Sequence, residues 1–209
     1  MFRNYADYYD LFNSDKPYKK EIGFVYKWAN KPKFIFDIGC GTASYWKYYP
    51  EDVSIIGLDK SRQMGRKNDH IIFADVEKYK HNSEFDCATA LFDVINYIPR
   101  HEWWANIPVK KGGYFIFDCW DKKKVDREGF EYTLNQKGSA FREIRPINYD
   151  GKKVSLSIEV WDSMTHFTEV HEMYVHSRKE IEGFAKNLFE IVKIIPTKKW
   201  QTWYKLKRK

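Results

Sequence analysis

Acidic residues at the ends of apolar runs are the first chemistry legible in the sequence. Phe34-Ile35-Phe36 leads into Asp37-Ile38-Gly39-Cys40-Gly41-Thr42, and Val53-Ser54-Ile55-Ile56-Gly57-Leu58 ends in Asp59. Alternate glycines at 39 and 41 let the backbone come close to a ligand where a Cβ would collide, with several amide N–H groups facing it. A pyrophosphate reader wants a third glycine at position 44, and this chain has Ser44. Asp37 would repel a pyrophosphate, but it suits a cation such as an α-ammonium or sulfonium group. Asp59 lies twenty residues beyond Gly39, at the end of the next apolar run. A carboxylate there can accept both ribose hydroxyls of a bound adenosine. It can also cap the helix that Ser61 begins.

These residues need strands that end in one crevice. Phe34–Ile38, Val53–Leu58, His70–Ala74, Glu84–Phe92 and Tyr114–Trp120 are short apolar or aromatic runs bounded by turn residues, which predicts buried parallel strands. Lys19–Ala29 has helical spacing, with Ile22, Val25, Tyr26 and Ala29 on one face. Ser44–Tyr49 reads as a short helix stopped by Pro50, presenting its start to the crevice. After the fifth strand the alternation breaks. Residues 130–133, 140–147, 153–161 and 165–175 are strand-like, with turns over 136–139 and 148–151. Ser177 caps a helix through Ala185, and 188–195 and 200–206 read as the sixth and seventh strands. The expected fold is α/β: a Rossmann-like, seven-stranded, mostly parallel sheet with helices on both faces and an antiparallel β insertion. Residues 1–124 form an N-terminal lid and cofactor-binding core, 125–175 the insertion roofing the site, and 176–209 the return to the core. All of it is one structural domain, without repeats or linkers.

The glycine run strongly resembles motif I of the class I S-adenosylmethionine-dependent methyltransferases. The resemblance continues at successive strand ends: Asp59, then Asp75-Val76, then Leu91-Phe92-Asp93 with Asn96-Tyr97, then the turn Gly112-Gly113 into the fifth strand. It implies S-adenosylmethionine as cofactor, S-adenosylhomocysteine as product and direct SN2 methyl transfer. It places Asp37, Gly39, Cys40 and Gly41 at the cofactor, with Asp59 and Lys60 on its ribose side. Asp75 and Val76 would meet the adenine, while Leu91, Phe92 and Asp93 face both cofactor and acceptor. The tyrosine-rich start, Tyr5-Ala6-Asp7-Tyr8-Tyr9-Asp10, is similar to the lid of small-molecule members, with Tyr9 over the cofactor. Tyr97, Asn96 and His101 are the implied catalytic candidates, with histidine the natural base near neutral pH. Tyr5, Tyr8, Trp120, Arg142 and His171 are the implied acceptor contacts. The Pro-Pro-aromatic loop of DNA and protein amide methylators is absent, as is the Pro-Cys nucleophile of cytosine-C5 enzymes. The stretch His166-Phe167-Thr168-Glu169-Val170-His171-Glu172 looks like the sugar-nucleotide amino-sugar N-methyltransferases, although Asn13 stands where several of them carry another tyrosine.

Composition narrows the partners. The 209 residues carry a net charge of +7, which favours an anionic acceptor such as a sugar nucleotide. RNA is the alternative acceptor, suggested by the basic tail Lys198–Lys209. A non-catalytic cofactor-binding scaffold is the reading from another class. Cys40, Cys87 and Cys119 have neither metal-ligand spacing nor a disulfide framework and read as buried hydrophobes in a reducing cytosol. No metal site and no membrane association are expected, since no apolar run approaches the roughly 18–20 residues that span a bilayer.

Overall fold

The apolar runs become strands of one central sheet. The computed structural model describes residues 2–66, 68–100, 102–197 and 200–209. In chain order, helices α1 (Tyr9–Phe12) and α2 (Tyr18–Trp28) precede β1 (Phe34–Ile38) and β2 (Ser54–Asp59). Helix α3 (Arg62–Gly65), β3 (Ile71–Phe73), β4 (Phe85–Ala90), β5 (Val109–Trp120) and α4 (Lys122–Glu128) follow. A second sheet is then laid down by β6 (Thr133–Lys137), β7 (Ala140–Tyr149), β8 (Lys153–Trp161) and β9 (His166–Tyr174). Helix α5 (Arg178–Ala185), β10 (Phe189–Pro196) and β11 (Gln201–Arg208) return to the first sheet.

The central sheet has the order β10-β11-β5-β4-β1-β2-β3. Strands β1 to β5 are parallel, while β11 runs antiparallel to both β5 and β10. The chain leaves β1 toward β2 and later returns on its other side as β4. A crevice therefore opens beyond the carboxyl ends of β1 and β4, as open α/β sheets require. Alternation divides the strands between two cores. Phe36, Ala88, Phe115 and Phe117 face Ile181 and Ala185 of α5 and the 3₁₀ turn Glu102–Asn106. Cys87 and Ile116 face Ile22 and Val25 of α2. Helices thus cover both faces, as expected.

Several elements are shorter than the sequence predicts. The helix after the glycine loop contracts to the 3₁₀ turn Trp46–Tyr48. Ala43 turns left-handed at φ 59° and Pro50 follows, leaving no room for an α-helix whose dipole could face the crevice. Strand β4 stops at Ala90 because Phe92 and Asp93 are both left-handed, at φ 67° and 64°. Helix α4, capped by the Asp121 carboxylate on the amides of Lys123 and Lys124, precedes the insertion, whose first strand, expected over 130–133, forms instead over Thr133–Lys137. The turn after β6 is two residues, Gly138-Ser139, with Gly138 at φ 60°. Strand β7 continues through Tyr149, since a bulge at Pro146 restores pairing with β8. Pro146 lies past the end of β6, whose last pair is Thr133–Ile144.

The second sheet joins the core through two apolar contacts. Trp120 and Val125 pack with Val154, Met173 and Val175. Tyr5 and Phe12 of the N-terminal arm pack with Ala140, Ile158 and Val160. No helix among the described residues is long and apolar enough to cross a membrane.

Candidate active site

The glycine loop does what its sequence predicts. Gly39 and Gly41 are left-handed, at φ 66° and 56°. A Cβ on Gly39 would lie 2.6 Å from the Val94 methyls, so position 39 has no space for another residue. The Leu58 carbonyl accepts from the amides of Gly39 and Cys40 at 2.7 and 3.3 Å, which ties the loop to β2. Beyond it is a cavity of about 1060 Å³, measured with the solvent at its mouth.

Asp37 is buried at the root of this cavity. Its carboxylate accepts from Trp46 Nε1 at 2.8 Å and Thr89 Oγ1 at 2.7 Å. Burial pushes its pKa up to about 6, against the pull of those two bonds. Asp59 receives the amide of Gly41 at 2.8 Å and that of Ser61 at 2.7 Å, so one carboxylate fixes both loops. Burial raises this carboxyl also, with the surrounding amides opposing it. Asp75 pairs with Lys60 at 2.7 Å and accepts from the Glu77 amide at 3.1 Å. Its burial is outweighed by these partners, which hold its pKa below the ordinary value.

Tyr9, Cys40, Lys60, Val76, Leu91 and Phe92 line the same cavity. Of the residues expected at the cofactor, Asp93 is not on the wall. It sits behind it with Asp118 of β5, which accepts the amides of Phe92 at 2.7 Å and Asp93 at 3.2 Å. Gln201 of β11 bridges both carboxyls, at 3.4 Å from Asp93 and 3.1 Å from Asp118. Burial raises both carboxyls, and the charge of Asp93 pushes Asp118 up further. This cluster holds the left-handed pair at the strand end, a strained conformation of the kind kept at functional sites.

Tyr97 reaches the cavity, and the second sheet stands behind it. Its hydroxyl lies 3.0 Å from His171 Nδ1, and His171 Nε2 lies 3.3 Å from Glu169 Oε2. Burial lowers the His171 pKa, which favours the neutral ring. With Nε2–H directed to Glu169, Nδ1 accepts from Tyr97. Glu169 also accepts the backbone amides of Arg3 at 3.1 Å and Tyr5 at 3.0 Å. The arm is pinned further by Ser61 Oγ on the Phe2 carbonyl and by Asp10 on Thr42 and Ser44. Phe2 and Tyr9 thereby become walls of the cavity.

Other expected contacts are placed elsewhere. Asn96 is fully buried and does not line the cavity; its amide donates to the Tyr174 carbonyl at 2.6 Å and accepts from the Trp120 amide at 3.1 Å. Tyr8 donates to Asp162, and Tyr5 is buried beneath the arm with its hydroxyl on Arg142. Arg142 also bonds Asn135, so Tyr5, Tyr8 and Arg142 brace the arm against the second sheet. His101 lies outside the described residues. Phe2, Tyr18, Tyr45 and Met64 line the cavity although nothing in the sequence marks them as ligand contacts. Asp118 sits within an otherwise apolar strand run, the one signal that could have singled it out.

No protein-family model matches the sequence, and no curated protein does. Solved structures do. An S-adenosylmethionine-dependent methyltransferase from Clostridium acetobutylicum superposes with a TM-score of 0.81 at 21% identity, over 97% of this chain and 96% of that one. DesVI of Streptomyces venezuelae gives 0.82 at 16% identity, with both chains fully covered. CalS10, an amino pentose methyltransferase from Micromonospora echinaspora solved with S-adenosylmethionine bound, gives 0.74 at 16% identity over 100% of this chain and 98% of that one. The fold is that of the class I S-adenosylmethionine-dependent methyltransferases.

Proposed function

We propose that this protein is a methyltransferase that binds S-adenosylmethionine in the crevice beyond β1 to β4 and methylates a small polar acceptor. The observation that carries the reading is the convergence of Asp37, the Gly39–Gly41 loop, Asp59 and Asp75 on one cavity. The donor set fits the cofactor. Asp59 offers carboxylate lone pairs to ribose hydroxyls, Asp75 and the Val76 amide suit an adenine edge, and Asp37 with the loop suits an α-ammonium group. The cofactor, when bound, supplies an electrophilic methyl group on a sulfonium, open to direct SN2 attack. The protein's task is then placement and, for a protonated nucleophile, removal of a proton.

Tyr97 is the group suited to that second task. Its oxygen can accept a hydrogen bond from the acceptor while its own proton rests on His171. Tyr97→Phe should lower kcat by about a hundredfold and leave S-adenosylhomocysteine affinity within about twofold, a change worth only ~0.4 kcal/mol. Protonation turns His171 Nδ1 into a donor and breaks the relay. Because the folded pKa is depressed below 6.5, the stabilising contact is complete above that value and lost as the pH falls through the folded pKa. An acid limb of kcat beginning above pH 6.5 would contradict this assignment.

A small acceptor is supported by the neighbour CalS10, described as an amino pentose methyltransferase, and its anionic character by the net charge of +7. The described tail residues are largely engaged within the fold: Lys205 lies over the Tyr114 ring, Arg208 over Phe189, and Lys209 on the Lys186 carbonyl. The test is S-adenosylhomocysteine release on a panel of amino-sugar nucleotides, small amines and small alcohols, run beside RNA. Turnover on a panel member is expected. Turnover on RNA with none on the panel overturns the acceptor class, and cofactor binding with no turnover on any acceptor leaves the scaffold reading in its place.

A further inference from the structure

The arm sets a charge of its own behind three rings of the cavity wall. Lys16 lies in the short loop between α1 and α2, with its side chain only 13% exposed. Its ammonium is 4.4 Å from the centre of the Phe92 ring, 4.7 Å from that of Tyr45 and 5.3 Å from that of Tyr18. It pairs with the Glu21 carboxylate and bonds the Tyr45 hydroxyl, which itself donates to Glu21 at 2.7 Å. Three rings and one carboxylate around a cation form the arrangement by which proteins recognise ammonium ligands.

This cage is not a surface ion pair. Tyr18, Tyr45 and Phe92 all belong to the wall of the candidate active site, and Phe92 is one of the two left-handed residues at the end of β4. Burial pushes the Tyr18 hydroxyl up to about 12 and that of Tyr45 further, which favours the neutral form of both rings. The same ammonium also pulls down the raised pKa of Asp93 and Asp118 behind the wall, so in the cage it acts as a counter-charge to that buried pair. The lysine that fills the cage comes from a loop held by short turns rather than from a strand or helix, and its charge sits at the end of a flexible four-carbon stem.

We infer that the cage of Tyr18, Tyr45, Phe92 and Glu21 is the subsite for an amine carried by the acceptor, and that Lys16 fills it as an internal surrogate until the acceptor arrives. The inference rests on the methyl-transfer reading for what the acceptor is, and it narrows the acceptor to molecules bearing a basic nitrogen. It also makes Lys16 a competitor that every acceptor must displace, so removing its charge strengthens binding of a cation.

The probe is choline, set against its neutral isostere 3,3-dimethylbutan-1-ol, titrated calorimetrically into wild type, Lys16→Met and Lys16→Gln. S-Adenosylhomocysteine is titrated separately into the same three proteins. Choline should bind both variants on the order of tenfold more tightly than wild type, the gain expected when a cation gains desolvated rings. The neutral isostere should not. Phe92→Leu in the Lys16→Met background should remove the gain. Equal binding of choline and the isostere, or no gain in either variant, overturns the proposal. So does a loss of S-adenosylhomocysteine affinity beyond about tenfold in the Lys16 variants, roughly the worth of one charge-assisted hydrogen bond, which would assign Lys16 to the cofactor's carboxylate. Failure of wild type to bind S-adenosylhomocysteine would instead strike at the methyl-transfer reading, and the choline comparison would still judge the cage.

Discussion

Asp59→Ala should abolish cofactor binding at concentrations that saturate the wild type. Two hydroxyl–carboxylate bonds of about 1.5 kcal/mol or more each would be lost, and 3 kcal/mol is already more than a hundredfold in affinity. The loss extends beyond direct contacts. The same carboxylate holds the amides of Gly41 and Ser61, so its removal also releases the glycine loop from the β2 end. Asp59→Asn keeps one acceptor oxygen and should retain part of the affinity. Asp52→Asn, at an exposed carboxylate paired with Lys33, is the control and should bind as wild type does. Calorimetric titration with S-adenosylmethionine and S-adenosylhomocysteine reads all four proteins. Equal affinity in Asp59→Ala and wild type would remove Asp59 from the ribose, and with it the central support for the proposed function.

The largest loss of stability should come from a residue far from any ligand. Trp104 is completely buried in the 3₁₀ turn between β4 and β5. Its ring meets Phe115, Phe117, Phe184 and Phe189 edge-on, at 5.4, 5.5, 5.9 and 6.3 Å between centroids. It takes the place of the helix that a full doubly wound fold would put on this face. Trp104→Ala leaves a large cavity and should cost about 3–5 kcal/mol, out of a total stability of about 5–15 kcal/mol. The melting temperature should fall by roughly 10 °C. Trp104→Phe keeps an aromatic ring and should cost less than half as much. Denaturant titration checks both, and a loss below about 1 kcal/mol for the alanine variant would show that the turn does not close the core.

Much of this protein was determined by local sequence. Asp37 to Gly41 fixes a strand and a left-handed turn, because glycine conformations and strand ends depend on neighbours within a few residues. Strand alternation in β8 placed one face against the core, since a period of two leaves no other choice. The tertiary structure alone decided what these elements meet. The helix expected at Ser44–Tyr49 gave way to one 3₁₀ turn, and the strand expected at 130–133 formed over Thr133–Lys137. Tyr97 meets His171 across 74 residues, and the arm meets Glu169 across 164 or more. Asn96 has the residue type and position of a site residue, but tertiary contacts use its amide to clamp two elements. Lys16 shows the limit most sharply. By sequence it is one more lysine in a polar loop, and only the folding of α2, the glycine loop and β4 brings three rings and a carboxylate around it. Local preference sets the backbone, whereas a site made of side chains from distant segments exists only once the sheet has closed.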